Sequence, residues 1–194
     1  MKKILCIILF SAFTIVLFAQ SEKKNTISLT VTPLGAASYG YKDNIDGGGG
    51  YDTKSFYSFG IEYNREVYRN LEITTGILYV HNKISFTPSF NPIIDMSGRS
   101  YNIDFLTIPI LVKYHFLNYL FVNGGGVLNF KISDNEESYH DGKLGFLVGI
   151  GAEHTFSNNI TLNINPYFQM NSISPDKKMN FFNLGVKLGI GYNF

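Results

Sequence analysis

The sequence predicts an all-β fold, an eight-stranded antiparallel up-and-down β-barrel that crosses a membrane with its strands. Three observations predict it. Apolar residues alternate with Gly, amide or charged residues in segment after segment, and long and short connections alternate between those segments. The chain is also poor in charge. Of 194 residues, 16% are charged and 45% hydrophobic, with 13 Tyr and 17 Phe, whereas roughly 25% charge is usual in soluble domains. That apolar content excludes disorder. Sixteen Lys and Arg against 15 Asp and Glu leave a net charge of +1, so no basic field exists to attract nucleic acid.

Residues 1–19 read as a signal peptide, with the barrel domain at 20–194. Lys2 and Lys3 form a positive start, Ile4 to Phe18 is an apolar run, and Ala19 is a small residue at the expected cleavage point before Gln20. The run is shorter than the ~20 residues a spanning helix needs. Cys6, the one cysteine, lies early in the run rather than at its end, where an acylated residue would stand. The processed chain therefore has no disulfide and no thiolate metal site. No later segment is apolar enough for a membrane helix, and without one only a closed barrel satisfies its backbone in hydrocarbon.

The clearest strand is the last. Phe182, Leu184, Val186, Leu188, Ile190, Tyr192 and Phe194 alternate with Asn183, Gly185, Lys187, Gly189, Gly191 and Asn193. Period two over that length fits a strand and no helix. The same pattern marks about 26–41, 55–65, 71–83, 101–116, 119–131, 144–156 and 160–171, where Leu78 and Val80 blur the third. Each is long enough for a tilted spanning strand of about 9–11 residues. The connections 42–54, 84–100, 133–143 and 172–180 are long, while 66–70, 117–118 and 157–159 are short. A barrel with long loops at one end and tight turns at the other has that order, and an even strand number puts both termini at the turn end.

Alternation leaves open which face is wet. A soluble barrel would expose the polar face and charge it heavily. The polar face of the last strand holds three Gly, two Asn and one Lys, which suits a narrow lumen better. With the aliphatic face outward, Glu62, Glu72 and Glu153 enter the lumen beside Lys113, Lys131 and Lys187. Buried charges of this kind require partners. Glu62, Glu72, Lys113, Glu153 and Lys187 are thus the candidate site, a structural ion-pair plug near the turn end, with a gate as the alternative. Tyr63, Phe116, Tyr119, Phe156, Tyr192 and Phe194 would form one aromatic girdle and Tyr39, Tyr57, Tyr79, Phe130, Phe146 and Phe182 the other.

Leu106–Tyr114, read LTIPILVKY, resembles the "L-x-I-P-L-L-x-K-Y" strand of PorT-like outer-membrane β-barrel proteins of Bacteroidetes-type bacteria. Leu188–Phe194 resembles their closing strand, and Tyr192 with Phe194 resembles the C-terminal signal for outer-membrane insertion. The resemblance implies an eight-stranded barrel akin to the OmpA transmembrane domain and OmpX. It also implies the outer membrane of a Gram-negative bacterium and insertion by the barrel-assembly machinery. It further implies that Pro109 is tolerated within a strand, at a bulge. The family's naming member is linked to protease secretion, a role not carried over to this chain.

Other chemistry is weakly signalled. Gly47 to Gly50 lacks the Lys and Ser/Thr of a phosphate loop. His81, His115, His140 and His154 have no metal-ligand spacing. His81 with Ser85, or Ser138 with His140, lacks an obvious acid partner for hydrolysis. Asp134, Glu136, Glu137 and Asp141 make one loop acidic. The expected function is that of a monomeric structural or interaction module, with outer-membrane lipid around it and an unidentified partner on its long loops. No enzyme activity, cofactor, metal or nucleic-acid partner is expected, and a side-chain-filled lumen leaves no open pore. The alternatives are a small-solute channel, an accessory of protein secretion, or a lipid-modifying enzyme.

Overall fold

A computed structural model describes residues 24–41, 50–87, 99–133, 144–171 and 179–194. The signal segment, Gly47–Gly49, Ser138, His140, the acidic segment 134–141 and the Tyr39 side chain lie outside the described residues. The strands are β1 (Asn25–Tyr41), β2 (Gly50–Tyr68), β3 (Leu71–Thr87), β4 (Arg99–His115), β5 (Leu120–Lys131), β6 (Leu144–Thr155), β7 (Ile160–Met170) and β8 (Met179–Asn193). They form one closed antiparallel barrel in chain order. Asn25 and Phe194 exchange both backbone hydrogen bonds, at 3.1 and 2.9 Å, which closes β1 on β8 beside the short turns. Among the described residues no helix is long and apolar enough to cross a membrane.

Local chemistry explains the short turns. Asn70 and Asn159 have φ of 64° and 65°, the left-handed region that Asn tolerates better than most residues. β2, β3 and β4 run further toward the loops than the alternation indicates, with pairing continuing to Gly50↔Thr87 and Phe86↔Arg99. Ladder bonds continue there beyond the stretches whose hydropathy marked the strands.

The outer wall is aliphatic. Leu29, Ile61, Ile77, Ile110, Ile150 and Ile190 are exposed, while Thr30, Glu62, Thr74, Lys113 and Lys187 are buried inside. Rings flank that band, with Phe146, Phe168 and Phe182 in contact toward the loops and Tyr119, His154 and Phe156 toward the turns. The lumen itself is not uniformly polar. Leu78 and Val80 blurred the alternation because they point inward, where they join Phe56, Phe105, Leu111, Val127, Leu147 and Tyr167 in a buried apolar core. The loop-side half of the lumen therefore mixes this apolar core with buried amides such as Asn82, Asn129, Gln169 and Asn183, whereas the buried ion pairs concentrate in the turn-side half.

Proline behaves differently from the bulge expected at Pro109. The β3–β4 register passes from Thr75↔Ile110 to Leu78↔Thr107 without a shift, so Pro109 interrupts the ladder and inserts no residue. Proline lacks the N–H the ladder needs. The bulge is at Pro33 instead. The β1–β8 register shifts between Val31↔Leu188 and Leu34↔Val186, so Thr32 and Pro33 together face Lys187. The β1–β2 ladder ends at the same level, at Thr32↔Ser58, although both strands continue toward the loops. There the Phe56 ring lies where a Cβ on Gly35 would be, 2.2 Å from that position, so only glycine lets the ring fill the seam.

Candidate functional site

The turn-side lumen holds the five candidate residues in two tiers. In the lower tier Glu72 and Lys113 stand opposite one another on β3 and β4. Lys113 Nζ lies 3.1 Å from Glu72 Oε2 and 2.9 Å from Glu153 Oε2, reaching β6 across the barrel. The Phe121 ring centroid is 4.9 Å from the same nitrogen. His115 completes the tier, its Nε2 3.2 Å from Glu72 Oε1 and 3.8 Å from Glu153 Oε1.

In the upper tier Lys187 Nζ lies 2.5 Å from Glu62 Oε1 and 5.7 Å from the centroid of Tyr167. Glu62 is in register with Gly76, further up β3 than Glu72. The structure thus brings Lys113 to Glu72 and Glu153, and Lys187 to Glu62; among the described residues no ion pair joins the tiers. Lys131 belongs to neither, because it lies at the loop-side end of β5 opposite Phe105.

Burial sets the energetics. Removing an ammonium from water costs several kcal/mol, which is offset only by close carboxylates and well-placed dipoles. Lys113 and Lys187 are each 4% exposed, and each has both a carboxylate and a ring face, which supplies cation–π attraction. Neutral bonds accompany the charges: Thr74 Oγ1 donates to Asn64 Oδ1 at 2.6 Å, and further toward the loops Thr107 Oγ1 donates to Asn129 Oδ1 at 2.8 Å. A Cβ on Gly149 would lie 2.5 Å from Asn165 Oδ1 and 2.6 Å from Asn123 Oδ1, so this level admits no larger residue there. Below the charges a polar cavity of about 580 Å³ opens at the turn end, lined in part by Lys24, Glu66, Asn118 and Asn193.

Two arrangements were not visible in residue spacing. Glu72, His115 and Glu153 place possible metal-ligand atoms within 4.8 Å of one another, but they come from three strands and Lys113 already bridges the carboxylates. His81 has an acid partner after all, with Nδ1 2.6 Å from Asp104 Oδ1 across the β3–β4 ladder. Ser85 lies further along His81's own strand, and no hydrogen bond joins the two among the described contacts. Tyr192 and Phe194 are exposed at the closing seam.

A family profile described as "Outer membrane protein beta-barrel domain" matches residues 18–194. The chain belongs to this family. It is an outer-membrane β-barrel. No curated protein sequence matches it. Among solved structures it is similar to the outer membrane protein AlkL, determined by solid-state NMR in DMPC bilayers. Identity is 14% and the TM-score 0.57, over 91% of this chain and 92% of AlkL. It is also similar to OprG from Pseudomonas aeruginosa, at 12% identity and a TM-score of 0.52 over 90% of this chain and 97% of OprG. At those identities the likeness shows the fold alone.

Proposed function

We propose that this barrel is a structural and interaction module that uses its loop end as a binding surface and does not act as an open porin or an enzyme. One observation carries the reading: side chains close the lumen across its middle levels. Leu111, Phe121, Val127 and Leu147 are at most 1% exposed, and the paired Lys113 and Lys187 lie on the turn side of Val127 and Leu147. An eight-stranded barrel leaves little space once side chains fill it. The LTIPILVKY strand supports a place among PorT-like barrels, exported by the signal at 1–19 and inserted as a monomer into a Gram-negative outer membrane. Tyr192 and Phe194 serve as the signal for the barrel-assembly machinery. Their outward placement on the strand that closes the sheet supports that role.

Purified protein in planar bilayers tests the reading. No stable conductance step is expected, and a reproducible step would replace this reading with the small-solute channel. Tyr192→Ser with Phe194→Ser should reduce the membrane-inserted fraction while leaving synthesis unchanged. Undiminished insertion would remove the signal role.

A further inference from the structure

The outer wall of β2, β3 and β4 carries a polar group where its apolar band ends. Outward positions on β4 run from Tyr114 through Val112, Ile110 and Ile108 to Leu106, and then to Asp104. On β3 they pass from Ile77 and Tyr79 to His81 and then Lys83. The band from Leu106 to Tyr114 has the length of a spanning strand, about 9–11 residues. His81 and Asp104 therefore stand where hydrocarbon gives way to headgroups on the loop side.

The group is ordered. His81 faces Tyr57 across β2 and Asp104 across β4. The Tyr57 ring stacks on the imidazole with centroids 4.8 Å apart. Asp104 Oδ1 is 2.6 Å from Nδ1, and the Tyr79 hydroxyl bonds the same carboxylate. With Nδ1 held by Asp104, Nε2 is the ring nitrogen without a hydrogen-bond partner among the described residues. Lys83 is exposed at the next outward position. Tyr57 from β2, Tyr79 and Lys83 from β3, and Asp104 from β4 are the titratable groups facing the ring.

Directly below lies a nearly wholly apolar groove of about 790 Å³, lined by Leu29, Val31, Phe59, Ile61, Ile77 and Tyr79. Its upper edge, Phe59–Tyr79–Leu106, is one outward step below Tyr57–His81–Asp104. The Lys83 ammonium and an ordered imidazole above a chain-sized apolar groove are complementary to an amphiphile with an anionic head.

We propose that His81 and Lys83, with His81 oriented by Asp104 and Tyr57, bind the phosphate-bearing headgroup of an outer-leaflet lipid whose acyl chain lies in this groove. The Lys83 ammonium would donate a charge-assisted bond to such a phosphate, stronger than a neutral one, and the ordered imidazole would supply a second polar contact. Asp104 then acts as a positioning residue.

Native mass spectrometry of the folded barrel from neutral detergent, with phosphatidic acid or phosphatidylcholine of identical chains, tests this. The wild type should retain phosphatidic acid about tenfold better, the change expected from roughly one charge-assisted contact. H81Q/K83Q should lose that preference while keeping the heat-dependent gel mobility of a folded barrel, and H154Q at the opposite girdle should keep the preference. Ile77→Trp, which fills the groove, should reduce retention of both lipids. Phosphatidic acid should also move the His81 imidazole NMR signals, and inorganic phosphate at the same concentration should not. Equal retention of both lipids by the wild type, or an undiminished preference in H81Q/K83Q, overturns the proposal. An equal response to inorganic phosphate overturns it in favour of a soluble-anion site.

Discussion

Lys113 and Lys187 are held by different numbers of carboxylates, and this difference sets the cost of removing each partner. Glu62 is the one carboxylate within ion-pair distance of Lys187 among the described residues, so Glu62→Ala leaves a buried ammonium unpaired and should cost about 3–5 kcal/mol. Glu153→Ala leaves Lys113 on Glu72, so the loss should be nearer 1–3 kcal/mol, that of one charged hydrogen bond. Urea unfolding in detergent micelles measures both; equal costs would mean that the tiers do not act separately. These residues were legible in the sequence because they are charges at inward parity within the alternating stretches of their strands. Their division into tiers was not, since Glu72 and Glu62 are separated by height in the barrel and only the β2–β3 register gives height. Asp104 was missed for the same reason: it meets His81 only once β3 and β4 are aligned.

At the scale of the strand, parity was the most legible property. Outward and inward faces of β8 follow directly from the alternation of Leu184 to Tyr192 with glycine and Lys187. Leu188→Arg should therefore cost about 2–4 kcal/mol, the penalty for arginine near the bilayer midplane. Unfolding in lipid vesicles measures it, and a negligible change would mean that this face meets no hydrocarbon. Strand ends were less legible, because the ladder runs past the stretches that marked the strands, to Gly50↔Thr87 and Phe86↔Arg99. Leu78 and Val80 were ambiguous for a related cause. Where both faces of a strand are apolar, hydropathy carries no parity, and only the curvature of the closed sheet decides which side faces in.

At the scale of the whole molecule, the alternation of long and short connections fixed the up-and-down order, which the ladder from β1 to β8 reproduces. Such a barrel should migrate differently on a denaturing gel before and after boiling; identical mobility would indicate that the sheet does not stay closed in detergent. The two fillings of its interior, uncharged toward the loops and ionic toward the turns, predict different responses to salt. Molar salt should weaken the packing around Lys113, beside the open polar cavity, more than that around Val127. Side-chain NMR linewidths at the two levels would measure that difference.

The early end of the β1–β2 ladder gives the cylinder an uneven resistance to opening. Loopward of Thr32 and Ser58 these neighbours are joined by a phenylalanine ring on a glycine, while every other pair of adjacent strands is stitched by amides at that height or close to it. Deuterium should enter the facing amides of this stretch before any other part of the wall, since local opening follows the least-bonded path. Heat or mechanical pulling should unroll the barrel from that line outward.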